Sequence, residues 1–142
     1  MKDVDLVRVR DLMGNMAGAQ RRLRELGHLP EEDFLGDFRN TESAKYLLIV
    51  AIEAAIDLCN HIVARRGGRA PQDYADCFSI LADLQAVDSD LVDRLKKMAR
   101  FRNLIVHLYW QVDDRRVYQI IQSEVGDLDT FRQQILAWLD VS

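Results

Sequence analysis

The chain has little of what usually staples or activates a small protein. Its 142 residues include two cysteines, two prolines and three histidines. Cys59 and Cys77 stand in apolar helical contexts without CxxC spacing. Two small buried hydrophobes in a reduced, cytoplasmic chain fit this better than a disulfide framework. His28, His61 and His107 show no ligand spacing, and neither HxxxH nor HExxH occurs. No metal site is therefore expected. A glycine-rich phosphate loop and GxSxG are also absent. The longest apolar run, Tyr46 to Ile52, is too short to span a bilayer. Met1-Lys2-Asp3 leads straight into a charged amphipathic segment, so no targeting signal is expected.

What is present is ordinary globular material: 49% hydrophobic and 30% charged residues, with a formal net charge of -4. This suits one domain over residues 1–142, long enough to build a core without cross-links. The negative balance argues against coating nucleic acid through bulk charge. The basic residues are clustered, however. Arg94, Lys96, Lys97, Arg100 and Arg102 form one group and Arg65, Arg66 and Arg69 another. Such patches either hold phosphates or form the solvated face of a helix.

Strand alternation is nearly absent, and helical periodicity runs throughout. The spacing predicts a first helix from about Val4 to Leu26, closed by Gly27, with Leu6, Val9, Met13, Met16, Leu23 and Leu26 inward. A connector with Pro30 and Gly36 follows, with room for a short turn through Glu31-Glu32-Asp33. A second helix starts at Asn40 or Thr41 and runs to about Ala64. From Tyr46 to Val63 it is apolar nearly all round, broken chiefly by Glu53, Asp57, Asn60 and His61. So much apolar surface predicts a second copy of the chain as part of its cover, around Leu48, Ile52, Ile56 and Cys59. Pro71 is expected to open a third helix with Tyr74, Phe78, Leu81 and Leu84 inward. Asp88 or Ser89 caps a fourth, reaching Tyr109 or Trp110. Asp113-Asp114 starts a fifth stretch, punctuated by Gly126 and ending near Leu139. The fold class is all-α, a bundle of four to five helices.

The fourth helix carries the anomaly. Leu91, Leu95, Met98, Arg102, Ile105 and Tyr109 follow the four-three spacing of an apolar seam, with a permanent charge in it. A buried unpaired guanidinium costs several kcal/mol, so Arg102 needs a partner, a wet cleft or an anion. Glu53 and Asp57 are possible partners, or else a plain solvated edge. On a straight helix Arg102 and Tyr109 share a face, while Arg102 and His107 stand about 140° apart. Either a distorted helix end or a second subunit must bring that pair together. Arginine suits a phosphate and histidine a proton. Asn103 is suited to orient His107 or to donate to the phosphate. Together these groups fit metal-free cleavage of a phosphodiester, His107 acting on a ribose 2′-OH.

The run Arg100 to Trp110, with Asp113, Arg116-Val117-Tyr118 and Ile121, resembles the HepT-type toxins of the HEPN superfamily. Arg-x4-His-x-Tyr falls on Arg102, His107 and Tyr109, and Ala51 to Asp57 with Asn60-His61-Ile62 adds a second match. The resemblance covers about Tyr46 to Leu139. It implies a homodimeric helical domain with the motif in a cleft at the dimer interface. It also implies a metal-independent ribonuclease toxin, with Arg102 and His107 catalytic and RNA as substrate. The partner it implies is a minimal nucleotidyltransferase antitoxin that spends ATP to attach AMP to Tyr109; the toxin itself needs no cofactor. Two other readings stay open: a non-catalytic subunit that scaffolds the nucleotidyltransferase, and a dimerisation protein whose Arg102 closes a structural ion pair.

Overall fold

Aspartates set most of the helix starts. In the computed structural model, which describes residues 4–139, α1 spans Leu6–Gly27, and the Asp5 carboxylate accepts from the backbone N–H groups of Val7 and Arg8. Such a cap satisfies donors that a helix start leaves without intrahelical partners. Pro30 then leads into α2 (Glu31–Leu35), whose three acidic first-turn residues suit a helix N-terminus. The connector thus contains a helix, and its Phe34 is fully buried.

The long helix α3 spans Phe38–Arg66. It starts earlier than its Asn40 or Thr41 would suggest, because the Asp37 carboxylate reaches forward to accept from the Arg39 N–H. Thr41 instead turns its hydroxyl onto the Phe38 carbonyl at 3.1 Å. Helix α4 (Tyr74–Asp83) is likewise capped by Asp73 rather than opened by Pro71, with Asp76 N–H bonding Asp73 at 2.7 Å. Its end is marked by Gln85 at φ 61°, a left-handed conformation at a helix terminus. Asp88 caps α5 (Ser89–His107), and Asp113 caps α6 (Asp114–Ser123). Glu124 to Gly126 separate α6 from α7 (Asp127–Leu139), so the C-terminal stretch is two helices. The described residues hold seven α-helices, more than the four to five expected; the short connector helix and the break near Gly126 account for the difference.

Helix α3 is the axle. It packs against α1, α2, α4, α5 and α6 of the same chain. Leu48, Ile52, Ile56 and Cys59 are therefore buried within one chain, and the expectation that they face a second copy is corrected. The apolar circumference of α3 reflects five neighbours rather than a partner. An 18-residue stretch of α3 has a mean hydropathy of 1.9, enough by length and composition to cross a membrane, but most of that stretch is buried here, as in a core helix. Two other expected inward residues are exposed. Leu6 edges an open groove with Leu136 in the first turn of α1, and Tyr74 lies under the Arg102 side chain. Cys59 and Cys77 are free and buried, their sulfurs 2.7 Å apart between α3 and α4. Burial, with the neighbouring thiol, pushes the Cys59 thiol well above its ordinary value.

Candidate active site at the end of helix α5

Helix α5 runs antiparallel to α3, since its late residue Arg102 meets Glu53 and the following Tyr109 meets the earlier Lys45. Its seam buries Leu91, Leu95, Met98 and Ile105. Arg102 belongs to the same seam, with its side chain 14% exposed. Its guanidinium is closely held. Nε donates to Glu53 Oε1 at 3.1 Å, Nη2 to the same oxygen at 2.5 Å, and Nη1 to Asn103 Oδ1 at 2.9 Å. The Tyr74 ring lies 5.5 Å away on the α4 side, within cation–π range. Asn103 thus orients Arg102 within the chain, rather than His107.

Of the two carboxylates on α3, Glu53 takes the guanidinium. Asp57, one turn on, is exposed. Its apolar surroundings push its carboxyl up; the Glu53 charge adds to the push, while Arg8 and Arg102 oppose it. His107 is the last residue of α5 and is exposed. Five residues and about 7.5 Å of axial rise separate it from Arg102 on an ideal helix. The helix remains regular between them, so within one chain they face different directions.

Tyr109 departs from the seam the spacing assigned it. Leu108 leaves the helix at φ -133°, ψ 48°, and Tyr109–Gln111 forms a 3-10 turn. Continuing α5 would have carried the ring onto the Arg102 face. Instead it lies across Lys45, whose Nζ is 4.5 Å from the ring centroid. Lys45 was missed in the sequence, though its signal is the one that exposed Arg102: a cation in a buried stripe, here with Thr41, Ala44 and Leu48. Val106 and Leu108 precede the turn and Trp110 lies within it; all three are exposed, Trp110 to 77%.

The remaining basic residues are dispersed. Arg94 is engaged by Asp127 at 3.0 Å and Arg69 by Asp76, while Lys97 and Arg100 lie on the exposed face of α5. His28 ends α1, and His61 accepts the Asp5 N–H at 3.1 Å, a structural use in both cases. Among the described residues no three His, Cys, Asp or Glu side chains gather as a metal ligand set.

An all-helical domain with a half-sequestered arginine, an exposed histidine and a tyrosine-bearing turn narrows the class, and comparison with known proteins completes the assignment. The family model of HepT-like ribonucleases matches residues 16–135. The chain belongs to the HepT-like ribonuclease family of HEPN proteins. It is 34% identical to the mRNA nuclease HepT of Shewanella oneidensis over 104 residues, 73% of this chain and 78% of that one. It is 24% identical to the tRNA nuclease HepT of Aphanizomenon flos-aquae over 118 residues, 82% of this chain and 80% of that one. Among solved structures, the tri-AMPylated Shewanella oneidensis HEPN toxin in complex with MNT antitoxin superposes with a TM-score of 0.85 at 28% identity. That match covers 92% of this chain and 97% of the toxin.

Proposed function

We propose that this protein is the ribonuclease toxin of a cytoplasmic toxin–antitoxin pair, acting without a metal and neutralised by a minimal nucleotidyltransferase that transfers AMP from ATP to Tyr109. The observation that carries the reading is Arg102. A guanidinium set into the seam of α5, yet paired with a Glu53 side chain that is 42% exposed, can exchange its carboxylate for a phosphate. His107 stands exposed beyond it, free to take the 2′-OH proton as the ribose oxygen attacks phosphorus and to return a proton to the departing 5′-oxygen.

One chain separates the two groups, so the working site is a composite of two. The exposed Val106, Leu108 and Trp110 at the end of α5 supply an apolar surface for a homodimer that places the pairs side by side. Tyr109 is exposed on its turn, where a nucleotidyltransferase has access to the hydroxyl. The similar Shewanella toxin in its AMPylated complex supports the same assignment.

The deciding measurement is cleavage of cellular RNA by the purified protein, with and without EDTA. Wild type should cleave equally in both, and His107→Ala should not cleave. A protein that binds the nucleotidyltransferase but leaves RNA intact would instead be a scaffold subunit.

A further inference from the structure

Among the described residues Lys45 is one of three buried polar side chains, 6% exposed inside the apolar stripe of α3. An ammonium in such a place needs partners. Its Nζ lies 2.8 Å from Asp114 Oδ1 and 3.7 Å from Glu42 Oε1, and it faces the Tyr109 ring at 4.5 Å. Asp114 is the first residue of α6, and the 3-10 turn ends at Gln111. The Lys45–Asp114 ion pair therefore ties α3 to the chain just beyond the turn, while the ammonium meets the aromatic face within it. Tyr109 is exposed, yet its ring rests on a fixed, buried charge.

We propose that Lys45 is a positioning residue for AMP transfer to Tyr109; this rests on the reading of Tyr109 as the acceptor. In that transfer Tyr109 Oη bonds the α-phosphorus of ATP held by the nucleotidyltransferase. The bond from that phosphorus to the oxygen bridging to the β-phosphate breaks, and pyrophosphate leaves with the electron pair. The phenolic proton passes to solvent. Lys45 acts twice on this step. It fixes the ring so that the hydroxyl is presented in one direction, and it holds a positive charge beside the ring on which negative charge grows. The bound product is an anionic phosphodiester on the same ring, which a nearby cation also favours.

A plain strut between α3 and α6 would serve stability alone. The two roles separate in initial rates of the first AMP addition, followed by intact mass with purified nucleotidyltransferase and ATP. Lys45→Met should lower kcat about tenfold with KM for the toxin unchanged, measured at a temperature where the variant is fully folded, since Asp114 loses its cation and the melting temperature falls. Lys45→Arg, which keeps a cation, should recover most of the rate. Modification of Lys45→Met at the wild-type rate overturns the proposal alone. Wild-type protein left unmodified at Tyr109 overturns the acceptor reading as well. If Lys45→Met does not fold, Lys45→Gln gives the same comparison with a polar, uncharged side chain.

Discussion

Arg102 and Lys45 are both cations set into apolar stripes of one bundle, and they are held in opposite ways. Arg102 keeps its fork on Glu53 and Asn103 at the margin of α3 and α5, where the Glu53 side chain reaches solvent. Lys45 is set deeper, its side chain 6% exposed beneath the Tyr109 ring, and although Asp114 and Glu42 reach solvent, the Asp114 Oδ1 it faces is itself buried. A charge at an opening can change partners at little cost, because the carboxylate it releases returns to water. A buried charge cannot, since any partner it loses leaves an ion in the core. The difference separates a group fit to engage a ligand from one fit to hold a neighbour still.

The largest expected effect lies at the open cation. His107→Ala should lower RNA cleavage by at least about 10²-fold, in the range general acid–base assistance supplies, and Arg102→Ala by a similar factor, about 10²-fold, through the lost stabilisation of phosphate charge. Both variants should melt within a few degrees of the wild type, because Glu53 can be hydrated once its partner is gone. Gel-based cleavage assays with parallel thermal melts test this. A variant that loses both activity and fold would make Arg102 a strut, and the contrast with Lys45 would vanish.

Glu53→Gln is a sharper and smaller test. Removing the carboxylate removes the competitor for the guanidinium. RNA with a 2′-deoxy linkage at the cleavage site, which cannot react through that oxygen, should then bind several-fold more tightly by fluorescence anisotropy. The gain should shrink as salt rises, as expected for an added phosphate contact. Weaker binding would mean that Glu53 is needed to aim Arg102, so that the pair works as a unit.

Part of this contrast was legible in the sequence. A cation in a four-three apolar seam marked Arg102, and the scarcity of other charges in α3 left Glu53 and Asp57 as possible partners or a solvated edge, without choosing among them. The all-helical class followed from periodicity, and the family from Arg102, His107 and Tyr109 with the second-helix match. The helix count fell short because a five-residue helix after Pro30 has too few residues to show a period. The cover of α3 was misassigned because hydropathy tells how much surface is buried, and not by whom; five elements of the same chain pack against it. Tyr109 was placed on the wrong face because local spacing assumes that the helix continues. The turn at Leu108 and the ring contact with Lys45, 64 residues earlier, are tertiary facts.

The smallest effect concerns a third polar anchor on the same helix. Lys45, Glu53 and His61 recur at eight-residue intervals along α3, holding the Tyr109 turn, α5 and the start of α1 respectively. His61 Nε2 accepts the Asp5 N–H, so this anchor works only with that nitrogen unprotonated. Burial, aided by the Arg65 and Arg8 charges and opposed by Asp5, lowers its folded pKa below the ordinary 6.5. The unfolded chain therefore takes up the proton first as pH falls. The stabilising contribution is fully present above about 6.5 and is lost progressively as pH drops through the lower folded value. Protection factors at the N-terminal turn of α1, with the intrinsic pH dependence of exchange removed, should fall over that window while Leu23 at the far end of α1 remains protected. In His61→Gln, whose amide oxygen keeps an acceptor without titrating, that fall should flatten. An equally steep acid dependence in the variant would assign the effect to other groups and leave α3 with two working anchors instead of three.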